Sequence, residues 1–316
     1  MSGTSSRSVP TGRLRADLAL LLAATIWGTA FVAQRVAAVS SGVFLFNGLR
    51  FLLGALVLLP FAWGRTRPRQ PGSLYWRGLL SILAAGLLLF TAGTFQQMGL
   101  RYTTAGNAGF ITGLYVVLIP IILAVGGKQR LRPAIWGASL LAALGLYLLS
   151  TGGRLRLALG DALELAGAVV FSFHVIWIGL VVRRANVLTL AIGQYLVCGL
   201  LSLGIGLFIE RGLVGSVAIA WLAIVYTGIF SIGLGYTLQV AGQRLAPPAD
   251  AAILLSMEAP FAALFGWLLL DESLSAIQLL GCGLMLGGML LAQVNAFRTL
   301  PADDSLNRGE ILSHDP

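Results

Sequence analysis

The chain has 316 residues, of which 57% are hydrophobic and only 10% charged, about half the charged share of an ordinary soluble domain. That composition excludes a water-soluble globular fold and points to a protein built inside a bilayer. The net charge of +9 does not signal nucleic acid, because the basic residues sit in short loops between apolar runs and form no basic face.

In chain order, residues 1–16 are polar and aperiodic and are expected to be a disordered cytoplasmic segment. Apolar runs long enough to cross about 30 Å of hydrocarbon as helices follow at 17–36, 42–63, 78–98, 104–125 and 133–150. Five more lie at 160–182, 187–209, 218–241, 248–270 and 275–296, and residues 299–316 form a polar tail. The runs are apolar on every face, so the period-2 pattern of an outer-membrane barrel is absent. The expected fold is all-α and integral to the membrane, with ten transmembrane helices. The first run reads as a retained span and not a cleaved signal. Cys198 and Cys282 lie inside apolar runs, where packing explains them better than a disulfide or a metal site.

Of the 21 Lys and Arg, a cytoplasmic N-terminus collects Arg7, Arg13, Arg15, Arg65, Arg67, Arg69, Arg77, Lys128, Arg130, Arg132, Arg183, Arg184, Arg244, Arg298 and Arg308 on the inner side. The opposite side receives Arg35, Arg101, Arg154, Arg156 and Arg211. Both termini are therefore expected in the cytoplasm. Trp63, Trp76, Trp136 and Trp221 sit near span ends as expected interfacial anchors.

The chain is duplicated. "TFQQMGLR" at 94–101 returns 143 residues later as "TLQVAGQR", pairing Thr94 with Thr237, Gln96 with Gln239, Gly99 with Gly242 and Arg101 with Arg244. The offset continues through Ala108/Ala251, Leu131/Leu274, Leu141/Leu284, Gly145/Gly288 and Leu148/Leu291. Five helices per copy is an odd number, so the repeats 17–150 and 160–296 must be inverted, as in many secondary transporters. The motif reads as scaffold near the span ends: its glycine permits a tight turn, its arginine reaches the headgroups, and Gln96 and Gln239 are available for gate hydrogen bonds.

"IWGTAFV", "NGLRFLLGAL", "TTAGNAGFITGLYVVLIP" and "LLSMEAPFAALFGWLLLDESLSAIQLLGCGLMLGG" resemble the EamA-type family of the drug/metabolite transporter superfamily over nearly the whole chain. The resemblance implies a cofactor-free bacterial inner-membrane carrier, commonly an exporter of small metabolites such as amino acids. The chain departs from an exact duplication at Asp271-Glu272-Ser273-Leu274, whose first-copy equivalent is Lys128-Gln129-Arg130-Leu131.

Ionisable residues deep in a span are functional hypotheses by default, and Arg50, His174 and Glu258 qualify. Glu258, two residues before Pro260, is either a protonated structural donor or a site for a proton or a substrate amine; its first-repeat counterpart is Tyr115. Arg50 is expected to meet an anionic group, Glu258 or a substrate carboxylate, or else to serve as a structural contact. His174 is a satisfied interior residue or a proton-coupling group. Trp27, Phe31, Phe110, Tyr115, Trp177, Tyr195, Tyr226 and Tyr236 are candidates for an aromatic lining, with Asn47 and Asn107 adding fixed polar groups. The substrate-binding candidates are thus Trp27, Asn47, Arg50, Asn107, Tyr115, His174, Trp177, Tyr236 and Glu258. A GxxxG, Gly283 to Gly287, suits close helix approach within the fold or between subunits, so monomer and homodimer both stay open.

An alternating-access carrier for a small molecule is the expected function, with a channel or facilitator as the alternative. No HExxH, GxSxG, paired-Asp cluster or phosphate loop appears, which argues against a membrane enzyme or an ATP-driven pump. Neither a metal nor any other cofactor is expected.

Overall fold

A computed structural model describes residues 11–62, 72–127, 133–151, 158–246 and 248–297. Every regular element among them is helical, as a chain in hydrocarbon must be to satisfy its own backbone. The first half runs α1 (Thr11–Ser40), α2 (Val43–Ala62), α3 (Gly72–Gly99), α4 (Ala105–Thr112), α5 (Tyr115–Val125) and α6 (Pro133–Thr151). The second runs α7 (Leu159–Val181), α8 (Val187–Ile209), α9 (Trp221–Tyr226), α10 (Thr237–Gln243), α11 (Pro248–Leu255), α12 (Glu258–Leu270) and α13 (Ala276–Phe297). A π-helical stretch, Thr227–Tyr236, joins α9 to α10.

Seven stretches among the described residues are long and apolar enough to cross a membrane: Gly12–Ser40, Val43–Ala62, Gly78–Gly99, Ala105–Val125, Leu159–Arg184, Val187–Ile209 and Trp221–Gln243. The other three expected spans are helical too, but their described apolar stretches, Leu140–Leu149, Glu258–Leu270 and Ala276–Gly288, are shorter than a crossing. Outside the described residues lie residues 1–10 of the expected polar N-terminal segment, the tail 299–316, the Lys128–Leu131 loop, Trp63, and Arg7, Arg65, Arg67, Arg69, Arg132, Arg154, Arg156, Arg298 and Arg308, on which the expected orientation leans, whereas residues 11–16 of the segment expected to be disordered are helical in α1. The side chains of Arg77, Trp76 and Trp136 lie outside them as well.

The helices pack as α6 with α13, α2 with α8, α3 with α7 and α4 with α12, while α1 runs against α12, α10 and the π segment. Small residues set these approaches. A Cβ added at Gly145 would sit 2.6 Å from the Gly281 carbonyl and 2.7 Å from the Met285 nitrogen. A Cβ at Gly288, 143 residues on, would meet the carbonyl of Ala138 at 2.7 Å and the nitrogen of Ala142 at 3.1 Å, which are the positions equivalent to Gly281 and Met285. The α6–α13 contact therefore reads the same from either helix. Gly283 and Gly287, the GxxxG pair, take no part in it, since a Cβ on either meets nothing within 4 Å.

Candidate functional site: a cavity between the halves

A cavity with about 470 Å³ of empty space lies among α1, α2, α3, α4, α5, α7, the π segment, α10, α11 and α12. That is toward the small end of small-molecule sites, which run to about 1,000 Å³. Two helical crossings are tightened where they reach it. Between α4 and α5 the Leu114 nitrogen bonds the Ile111 carbonyl at 3.1 Å and Val116 bonds Gly113 at 3.2 Å, a turn of i→i+3 type. Between α11 and α12 the same pattern appears at the same offset, with Met257 bonding Leu254 at 3.3 Å and Ala259 bonding Ser256 at 3.1 Å. Tyr115 and Glu258 are the first residues beyond these two turns, and Thr112 and Leu255 the last before them; all four line the cavity. Pro260, in the first turn of α12, breaks no intrahelical hydrogen bond there, so the interruption precedes it.

The wall is thus built from related pairs: Tyr115 with Glu258, Thr112 with Leu255 and Gln96 with Gln239, each 143 residues apart. Glu258 is buried beside the Tyr115 hydroxyl, the polar group its carboxyl meets. Trp27 packs on Tyr236 with ring centroids 4.6 Å apart and donates its indole N–H to the Ser231 carbonyl at 3.1 Å. The accepting carbonyl belongs to the π segment, a departure that recurs at functional sites. Phe31 and Phe171 complete the aromatic part of the wall.

Arg50 is held by neutral groups. Its Nε donates to Asn47 Oδ1 at 3.0 Å and its Nη1 to Gln34 Oε1 at 2.5 Å. The guanidinium carbon lies 5.0 Å from the Phe46 ring centroid and 5.2 Å from that of Phe51. The ion pair among the described residues is Arg13 with Asp17, so Glu258 does not neutralise Arg50. Neutral amides and aromatic faces carry the charge instead, and they do so without discharging it as a carboxylate would.

Of the nine expected binding residues, Trp27, Arg50, Tyr115, Tyr236 and Glu258 reach the wall. Asn47 stands behind it, holding Arg50 and donating to the Gly93 carbonyl at 3.1 Å. Asn107 is buried in the first turn of α4, where its backbone N–H bonds Thr104 Oγ1 at 3.0 Å. His174 is buried beside the cavity, bonded to Gln194 Oε1 at 2.8 Å and edge-on to Tyr236. Trp177 lies apart from the wall, donating to the Ser81 carbonyl at 3.0 Å. Tyr195 and Tyr226 bond Thr237 and Thr29, and Phe110 packs in the core.

The repeated motif sits where helices end in tight turns, with Tyr102 N bonding the Gly99 carbonyl at 2.8 Å and Leu245 N the Gly242 carbonyl at 3.1 Å. Gln96 and Gln239 line the cavity. Neither glycine has the positive φ of a left-handed turn. They permit contact: a Cβ at Gly99 would come 2.9 Å from the Gly160 carbonyl of α7, and one at Gly242 would come 3.1 Å from the Ala16 carbonyl of α1. Arg101 donates to the carbonyls of Ala38 at 2.9 Å and Ser41 at 3.2 Å, tying down the end of α1, while Arg244 is exposed. Thr94 has no hydroxyl partner among the described residues, and Thr237 takes Tyr195.

The sequence also passed over Gln34, Thr112, Asp161 and Glu164. Asp161 and Glu164 are buried in the first turns of α7, which raises the number of ionisable groups inside the helices above the expected three. The repeat offset signals Gln34 alone, whose counterpart Trp177 is an expected candidate; the counterparts of Thr112, Asp161 and Glu164 are Leu255, Leu18 and Leu21.

The EamA-like transporter family model matches this chain twice, over residues 14–151 and 158–293. The chain belongs to the EamA-like transporter family. An "uncharacterized transporter" of Archaeoglobus fulgidus is 34% identical over 89% of this chain and 87% of its own length. The "uncharacterized inner membrane transporter YedA" of Escherichia coli K12 is 23% identical over 86% and 88%. A crystal structure with 25% identity superposes with a TM-score of 0.64, covering 90% of this chain and 98% of the other. The EamA-like chain is accordingly a multi-pass membrane transporter, working in lipid on a small-molecule substrate.

Proposed function

We propose that this transporter works by alternating access, with ten spans in two inverted five-helix halves and its site in the cavity between them. The observation that carries the reading is the wall itself: three residue pairs at the repeat offset converge on one space, beside two crossings tightened at equivalent positions. Interrupted helices at corresponding points of two repeats mark the binding site of inverted-repeat carriers. The family resemblance and the E. coli relative's name favour a bacterial inner membrane, with both termini cytoplasmic by the arginine bias.

The chemistry of the wall favours small zwitterions such as amino acids and related compounds. Arg50 offers a planar fork for a carboxylate, Glu258 a partner for an ammonium, and the Trp27–Tyr236 pair an apolar face for the remainder. A carboxyl that can hold either a proton or a substrate amine couples the two fluxes, and export is the direction the resemblance implies.

Metabolite profiling of medium from cells lacking and overproducing the protein tests export. A zwitterionic metabolite should rise outside with protein amount, and an unchanged medium contradicts the reading. In proteoliposomes given that metabolite, Glu258→Gln should lose net flux driven by a pH gradient and keep exchange of internal for external substrate. Full activity in both assays would remove the coupling role, and absence of counterflow in the native protein would identify a channel.

A further inference from the structure

Glu164 lies on α7, one turn beyond Asp161, with no exposed surface; the Thr112 hydroxyl is the polar group its carboxyl meets, and no basic side chain pairs with it among the described residues. A buried carboxyl without a countercharge is costly, by a few kcal/mol, so its retention calls for a reason. Packing does not supply one. A Cβ at Gly99 would stand 2.8 Å from Glu164 Oε1, whereas a Cβ at the equivalent Gly242 would stand 2.6 Å from Leu20 Cγ of α1. The two helix contacts are alike, and leucine fills in one half the place that glutamate fills in the other.

The surroundings connect Glu164 in two directions. Toward the surface, Asp161 accepts a short hydrogen bond from the Thr103 hydroxyl, next to the exposed turn of Arg101 and Tyr102. Toward the interior, Glu164 neighbours Thr112, whose hydroxyl accepts from Gln96 Nε2 at 3.5 Å and which lines the cavity holding Glu258. The titratable groups that act on Glu164 are Asp161 from its own helix and Glu258 from α12. Tyr115 begins α5, α4 and α10 carry no titratable residue, and α11 carries only Asp250. Arg101, at the end of α3, is engaged with the carbonyls of Ala38 and Ser41.

We infer that Glu164 is a second proton-carrying carboxyl, a relay between the surface at the α3–α4 turn and Glu258 in the cavity. A proton from water adds to a Glu164 oxygen. It leaves as that O–H bond breaks, the Thr112 hydroxyl accepting it on a lone pair while releasing its own proton, through cavity water, to the Glu258 carboxylate. One O–H bond is lost and one gained, negative charge passes from Glu258 to Glu164, and no oxidant or reductant takes part. The inference rests on the proposed coupling role of Glu258 and adds the route by which that group is loaded.

Infrared spectroscopy of the full-length protein in lipid vesicles tests this with the proton itself as probe, so no substrate is needed. The native protein should show a protonated-carboxyl band that titrates with pH and shifts in D2O. Glu164→Gln should remove it, and in Glu258→Gln its midpoint should move by about one pH unit, as for two carboxyls that sense each other. Thr112→Val should slow deuteration of Glu258 about tenfold or more. Glu164→Leu, which copies the packing of the other half, should fold and reconstitute like the native protein. A Glu164 band constant at every pH, a midpoint unmoved by Glu258→Gln, or an unchanged deuteration rate in Thr112→Val would each overturn the relay. Counterflow in the same vesicles reports on the carrier separately and survives any of those results.

Discussion

At Arg50 a full positive charge is carried into α2 and kept there by groups that do not cancel it. Hydrogen bonds from Arg50 to Gln34 and Asn47 contribute about 1.5–3 kcal/mol each, as bonds to a charged group do, and the faces of Phe46 and Phe51 add about 0.5–2 kcal/mol each. Lysine replaces the planar fork with one compact, strongly hydrated ammonium that cannot span both amides and stack on a ring. Arg50→Lys should therefore lower the stability of the detergent-solubilised protein by about 1–3 kcal/mol in thermal or denaturant unfolding and abolish transport. Arg50→Met removes the charge and its desolvation cost together, so it should fold while failing to bind a carboxylate. Normal transport by a folded Arg50→Met protein would show that the guanidinium only supports the wall.

Two helices of the first half borrow their N-terminal caps from the second. Glu272 accepts from the backbone nitrogens of Ala105 at 2.8 Å and Gly106 at 3.1 Å at the start of α4, and Glu210 accepts from Phe44 at 3.2 Å and Leu45 at 2.8 Å at the start of α2. Each carboxylate satisfies two free donors and meets the positive end of a helix dipole. Asp271, at φ 53°, gives the left-handed turn that ends α12 just before Glu272. Glu272 and Glu210 therefore each clamp a first-half helix to the second half. Glu272→Ala should speed amide exchange at Ala105 and Gly106 by about 10- to 100-fold, the equivalent of about 1–3 kcal/mol of lost hydrogen bonding, and leave Phe44 and Leu45 unchanged. Exchange mass spectrometry reads this directly, and equal exchange in both proteins would mean the cap contributes nothing. Helix positions were legible in the sequence because uninterrupted apolar runs fix length: 187–209 was expected and Val187–Ile209 is found. The clamp was not, since a loop carboxylate gives no sign of which distant backbone it will reach. Glu164 was missed because it stands one turn from the expected start of its span, where acids ordinarily meet water. Gln96 and Gln239 fall near span ends along a straight helix, yet their side chains reach the wall of the cavity.

On the scale of the whole molecule, an inverted duplication makes a demand that no local contact can meet: equivalent residues must face opposite sides of the membrane. The α6–α13 contact exchanges its members under the repeat offset, and the Gly99 contact on α7 is matched by the Gly242 contact on α1, as the proposed inversion requires. Tyr102 and Leu245 follow the two copies of the TxQxxGxR motif at the same offset, and both are exposed, at 59% and 56%. Cys198 and Cys282 are buried and replaceable by alanine at the cost of a small cavity each. In that background, Tyr102→Cys in intact cells should react with a membrane-impermeant maleimide, whereas Leu245→Cys should react only after the membrane is opened. The arginine bias gives the sign, placing Tyr102 outside and Leu245 inside. Reversal of the two results would preserve the inversion and flip the orientation. Labelling of both from one side would mean that the halves run parallel, that an odd number of helices does not separate the two motifs, and that the paired wall of the cavity has some origin other than a carrier's two-fold axis.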